Sequence, residues 1–139
     1  MFSKVRVKKG ALDHFRRVAR DAAPLEVEAF FTGHIISVDE IEIEKFHYPK
    51  SYQLQTTNEV QWSVEDTDAL KAYALEHDTR ILGSIHSHPK WDAVMSPMDY
   101  DSYVTYQLQI CGICSVYGRR TRVRFWTPTS SLPCKIIYS

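Results

Sequence analysis

From the amino end, hydrophobic positions first alternate and then recur every third or fourth residue. Val5 and Val7 share one side of an extended segment, which predicts a strand over 2–7. Leu12, Phe15, Val18, Ala19 and Ala22 then recur at helical spacing and predict an amphipathic helix over 10–23. Pro24 ends it, because proline disfavours α geometry in the residue before it. Residues 27–38, rich in Phe, Ile and Val and interrupted by Gly33, predict one or two strands. Over 40–46, Ile41 and Ile43 alternate with Glu40, Glu42 and Glu44, the pattern of a half-buried strand with a solvated acidic face. Residues 47–58 are polar, contain Pro49 and predict a loop or an edge. Val60, Trp62 and Val64 resume the alternation.

Ser63-Val-Glu-Asp66 resembles a capping box and opens a predicted helix that ends near Asp78, with Leu70, Tyr73, Ala74 and His77 along one face. Residues 81–88 predict a strand with Ile81 and Ile85 on one face. Ser96 followed by Pro97 is a strong helix start, and that helix runs to about Tyr106. Residues 108–117 and 121–127 pair as a hairpin about a turn at Gly118-Arg119, and 134–138 add a last edge strand. Strand hairpins interspersed with isolated helices predict an α+β fold, a mixed central sheet flanked by about three helices.

Length and charge narrow the function classes. At 139 residues the chain makes one domain, residues 1–139. Seventeen Lys and Arg balance seventeen Asp and Glu, which counts against gripping nucleic acid by bulk charge. A local patch remains open: Arg119, Arg120, Arg122 and Arg124 form a basic hairpin, with Val123 and Phe125 pointing the other way. It reads as a solvated strand face, or as a surface that steers an acidic partner or nucleic acid. No apolar run reaches the roughly 20 residues needed to span a bilayer. No apolar stretch follows the first charges, so no secretory signal is expected. Three cysteines, an odd number, argue against a disulfide framework, and the expected location is cytoplasmic. Cys111 and Cys114, three apart on a strand, face opposite ways and read as core thiols.

The chemistry concentrates in Gly83–Asp99. On a strand, His86 and His88 stand side by side on the face opposite Ile85. Pro89 stops the strand, and the following loop can return the first turn of the next helix over the strand end, presenting Asp99. Two imidazole nitrogens and a carboxylate suit Zn²⁺ better than Mg²⁺ or Ca²⁺, which prefer oxygen shells. Three protein ligands leave one tetrahedral position for water, the catalytic kind of zinc site. Zinc lowers the pKa of bound water to about 7. The same residues also have a plain structural reading: Ser96 caps the helix, and Asp99 favours its positive end. Trp91, in the connecting loop, reads equally as a groove-lining residue and as a hydrophobic cap.

His-x-His-Pro, seven residues, a Ser, two residues and an Asp together resemble the JAMM motif of the catalytically competent JAB/MPN zinc metalloproteases. The resemblance spans about residues 2–127. It extends upstream to Pro24-Leu-Glu26-Val-Glu-Ala-Phe-Phe-Thr-Gly33, a match to the family's strand-opening proline, glutamate and later glycine. The spacing to Gly33 selects Glu26; Ala29 stands where the family has glycine, and Glu28 is the lesser candidate. The resemblance implies the MPN, or cytidine-deaminase-like, sheet, with His86, His88 and Asp99 binding Zn²⁺. It implies that Glu26 takes a proton from the attacking water and passes it to the leaving amine, while Ser96 donates to the oxyanion. The implied reaction is hydrolysis after the C-terminal glycines of ubiquitin or a ubiquitin-like protein, by a minimal stand-alone core without the insertions that grip polyubiquitin. Two other readings are a non-catalytic MPN scaffold that binds partner proteins, and a zinc hydrolase of a small amide or carrier-protein conjugate.

Overall fold

The computed structural model describes residues 2–118 and 120–139. In chain order the elements are β1 (Lys4–Val7), α1 (Lys9–Ala22), β2 (Glu28–Ile35), β3 (Glu40–His47), β4 (Tyr52–Gln55) and β5 (Val60–Trp62). Then come α2 (Val64–Glu76), β6 (Arg80–His88), α3 (Pro97–Tyr106), β7 (Ile110–Ser115), β8 (Arg122–Trp126) and β9 (Lys135–Tyr138). Seven strands form one mixed sheet in the order β8-β7-β6-β2-β3-β1-β9, and β4–β5 form a separate hairpin. The architecture is the expected α+β type, with three helices on the sheet.

α1 supplies the main core. Its Leu12, Phe15 and Ala19 are fully buried against Val5, Val7, Phe31, Ile41 and Phe125 from four strands. Phe31 is the hub: its ring meets Phe46 and Phe125 edge-on, with centroids 5.9 Å away in each case. α2 and α3 lie near the sheet's other face, where Trp62, Tyr103, Cys111 and Ile113 are buried. Cys111 and Cys114 fall in these two different clusters, and all three cysteines are free thiols.

Residues 47–58, expected as a loop or an edge, hold β4, a short, partly exposed strand of the β4–β5 hairpin. Three sequence expectations are corrected. Val64 does not continue the β5 alternation; it opens α2 and is 63% exposed. Ser63 Oγ accepts from the Asp66 N–H, but the Asp66 carboxylate turns away from the Ser63 N–H to take those of Lys50 and Ser51. Only half of the expected capping box therefore forms. Ile81 and Ile85 do not share a face: the β2–β6 register slips between Phe31 and Thr32, which pair with Gly83 and Ile81 and leave Leu82 as the extra residue. Leu82 and Ile85 enter the α1 core, and Ile81 lines the groove on the other side. Such a bulge re-aims everything beyond it.

Two glycines mark close backbone approaches here. A Cβ at Gly33 would lie 1.9 Å from the Glu42 carbonyl oxygen, and one at Gly83 would lie 1.8 Å from that of Ile110. Ala29, by contrast, is fully buried in the core opposite Ile85, so its methyl is accommodated. The turn after β7 includes Gly118 at φ 83°, while Arg119 lies outside the described residues. No helix among the described residues is long and apolar enough to cross a membrane.

Candidate metal centre

Three elements converge where β6 ends. Beyond the bulge, alternation along β6 puts Ser84, His86 and His88 on the α2–α3 face, and Ile85 and Ser87 on the other. Both histidines are buried. The chain then crosses β7 and β8 as a loop held at three points. Asp92 C=O lies 2.9 Å from His88 Nδ1, Ser115 Oγ donates to Trp91 C=O at 2.6 Å, and Trp126 Nε1 donates to Ala93 C=O at 2.9 Å. This crossing delivers Ser96 and Pro97 to the start of α3.

The start of α3 is a complete capping box. Ser96 Oγ accepts from Asp99 N–H at 3.1 Å, and Asp99 Oδ2 accepts from Ser96 N–H at 2.8 Å. The box fixes the Asp99 carboxylate. Its Oδ1 lies 2.9 Å from His86 Nε2 and its Oδ2 3.2 Å from His88 Nε2, while the two Nε2 atoms are 3.0 Å apart.

The three side chains offer donor atoms that all lie within 4.8 Å of one another, the one such group of three His, Cys, Asp or Glu among the described residues. Tetrahedral zinc with bonds of about 2.0–2.1 Å needs ligand atoms about 3.3 Å apart, so a small outward shift admits the ion. Because His88 donates its Nδ1–H to the Asp92 carbonyl, its Nε2 is the nitrogen turned to the cluster, the one a metal would take. The residues therefore fit a zinc ion in donor type, number and aim.

The electrostatics follow from burial and from these contacts. Burial opposes charge on His86, but its hydrogen bond to Asp99 outweighs this and raises the imidazole well above its ordinary pKa. Burial likewise opposes charge on Asp99, yet the bonds from His86 and His88 hold its carboxyl far below the ordinary range. The Cys111 thiol, in hydrogen-bond contact with His86, is raised by burial.

Glu26 precedes β2, and its backbone is pinned twice: its N–H donates to Thr56 C=O at 2.9 Å, and its C=O accepts from Gln55 Nε2 at 3.0 Å. Ser87, between the two histidines, ties this segment to β6. Its Oγ accepts from Val27 N–H at 2.9 Å, and its own N–H donates to Val27 C=O at 3.0 Å. The Glu26 side chain is buried, and burial raises its carboxyl above the ordinary value against the pull of His86 and His88. Glu28 pairs directly with His86 across β2–β6. Desolvation raises its carboxyl to about 7, opposed by His86 and by a hydrogen bond from Ser84.

Glu26, Glu28, His86 and Asp99 open together into one groove of about 590 Å³, walled by the β4–β5 hairpin, α2 and α3. Trp91 is not among its lining residues and is 63% exposed, so it neither lines the groove nor caps the core. Sequence reasoning missed the supports Ser84, Ser87, Cys111 and Ser115. A serine between two histidines was visible, but its bond to Val27 depends on pairing 60 residues away.

Comparison with known proteins gives the family and the fold. Residues 8–128 match the family model described as prokaryotic homologs of the JAB domain. A protein of Desulfitobacterium hafniense, known by solution structure, is similar with a TM-score of 0.70 at 20% identity, covering 97% of this chain and 92% of that one. A JAB1/MPN domain protein from Archaeoglobus fulgidus is similar with a TM-score of 0.60 at 14% identity, covering 97% of this chain and 99% of that one. No curated protein matches in sequence.

Proposed function

The chain belongs to the family of prokaryotic homologs of the JAB domain, and from that premise we propose that it is a zinc-dependent peptidase or isopeptidase. Its substrate would be a protein joined through the C-terminal glycines of ubiquitin or a ubiquitin-like modifier. One observation carries the reading: a buried carboxylate, Glu26, opens into the same groove as His86 and Asp99, which converge with His88 as three ligand side chains. A scaffold that only binds partners needs neither.

Zinc held by His86, His88 and Asp99 would supply a Lewis acid and make water acidic enough to ionise near neutral pH. The chain's own residues do the rest. Glu26 takes the proton from the attacking water, and its raised pKa lets it hold that proton and pass it to the leaving nitrogen. We assign this role to Glu26, the glutamate that the spacing to Gly33 selects and whose backbone is pinned beside the centre by Thr56 and Gln55. Ser96 Oγ already accepts the Asp99 N–H, so its own O–H is free to donate to the oxyanion of the tetrahedral intermediate. A Gly-Gly end suits the groove because glycine lets substrate backbone approach closely.

The test is metal analysis of purified protein followed by incubation with a Gly-Gly-linked modifier fusion. The expected result is one zinc per chain and cleavage after the glycines, with Glu26→Gln keeping zinc and losing about 10²–10⁴-fold in turnover. Protein without zinc, or Glu26→Gln cleaving like wild type, overturns the proposal.

A further inference from the structure

The charges on this neutral chain are sorted along it. Residues 39–78 hold ten acidic against three basic side chains, whereas from Ser102 to Ser139 there is no Asp or Glu at all. That last stretch includes Arg120, Arg122 and Arg124. The sheet order sets the acidic β3 toward one end and β8, with its arginines, on the opposite edge.

The register shows where the arginines stand relative to the candidate metal centre. Glu28, His86, Ile113 and Arg124 are successive partners across β2, β6, β7 and β8, and His88, Ser115 and Arg122 form the next row. Paired residues share a face. Arg122 and Arg124 therefore rise on the face that carries His86 and His88, on the side away from the groove. At strand spacings of about 4.8 Å, Arg124 is roughly 10 Å from His86.

Among the described residues, no carboxylate lies within ion-pair distance of Arg120, Arg122 or Arg124. The crossing loop's Asp92 carboxylate is engaged with the Ala93 N–H. The groove on the other side of the centre has the opposite sign: Glu26, Glu28, Glu59 and Asp68 line it against Lys71 alone. The two approaches to one site are thus oppositely charged.

We propose that Arg120, Arg122 and Arg124 form a docking surface for acidic residues of the protein substrate, on the side of the scissile bond that lies beyond the groove. This rests on the proposed hydrolysis, which makes the molecule crossing the site a protein. A substrate lying in the acidic groove beside His86 meets the arginines beyond the loop that Ser115 and Trp126 hold across β7 and β8. Like-charge repulsion in the groove and attraction at β8 then fix which end of the substrate lies where.

The test has a binding arm and a cleavage arm. In the first, a fluorescein-labelled heptapeptide of alternating glutamate and valine is titrated at low salt, beside its lysine counterpart and a single-stranded oligothymidine of equal charge. The glutamate peptide should bind with salt-sensitive affinity and weaken about tenfold or more in R122E/R124E. In the second, R122E/R124E should raise KM with kcat unchanged for a Gly-Gly fusion followed by an acidic segment, and leave a neutral segment unaffected. Binding that ignores the arginine reversal overturns the proposal. So does oligothymidine bound tenfold more tightly than the glutamate peptide, which would mark a nucleic-acid surface. If wild type cleaves neither fusion, the hydrolase reading fails, and the binding arm still decides the docking surface.

Discussion

Ser96 is assigned two tasks, and substitution can separate them. Its oxygen caps α3 by accepting the Asp99 N–H, and its hydrogen is free to donate to the substrate. Ser96→Ala removes both. Losing an N-cap acceptor costs about 1 kcal/mol, within a range of roughly 0.5–2. For a chain of this length that is a fall of about 2–5 °C in Tm. Losing one oxyanion donor costs about 10²–10³ in kcat, or roughly 3–4 kcal/mol of transition-state stabilisation. Ser96→Asp keeps a capping acceptor and lacks the donor, and Ser96→Thr keeps both. Thermal melts should therefore rank threonine and aspartate near wild type and alanine below. Turnover of a Gly-Gly fusion should rank threonine near wild type, with alanine and aspartate both at least about 100-fold down. If aspartate turned over like wild type, or alanine lost stability without losing turnover, Ser96 would be a cap and nothing more.

Trp126→Phe removes the indole bond to Ala93 C=O and should cost about 0.5–1.5 kcal/mol in urea denaturation. By loosening the loop that leads into α3 and Asp99, it should also weaken zinc in a chelator competition; unchanged zinc affinity would show that the loop needs no such anchor. Phe31→Ala, at the hub between Phe46 and Phe125, should cost about 3–5 kcal/mol and Phe31→Leu far less, read by the same denaturation. His47, whose Nε2 lies 2.8 Å from Thr32 Oγ1, is depressed from 6.5 to about 4, by burial first and then by Lys45 and His77. Its neutral form is what the fold holds, so its contribution is complete above pH 6.5 and declines as the unfolded chain takes up the proton between 6.5 and 4. Allowing for its partial exposure, the loss is about 1–2 kcal/mol, and His47→Gln should flatten that part of the stability–pH curve.

The parts of this molecule legible in sequence are those set by local geometry. His86 and His88 share a face because strand alternation requires it, and Asp99 follows Ser96 by a helix-start spacing that is itself local. α1 was legible because its buried Leu12, Phe15 and Ala19 fall on one helical face. What escaped depends on partners distant in the chain. The slip that sends Leu82 into the core is settled by β2, and β4 exists because Val60–Trp62 is there to pair with it. Asp66 left its expected partner because the loop at Lys50 and Ser51 brought two free N–H groups within reach. The supports of the centre, Ser87 on Val27 and Ser115 on Trp91, are likewise tertiary.

One atom at the centre has two duties. Asp99 Oδ2 accepts the Ser96 N–H and also faces His88 Nε2. α3 has little else to hold it, since Tyr103 is its one buried hydrophobic side chain among those described. A cation drawing on that oxygen polarises the same hydrogen bond that begins the helix. Site occupancy should therefore be readable away from the ligands, as slower amide exchange through the first turn of α3. The helix start becomes a gauge of whether the centre is filled.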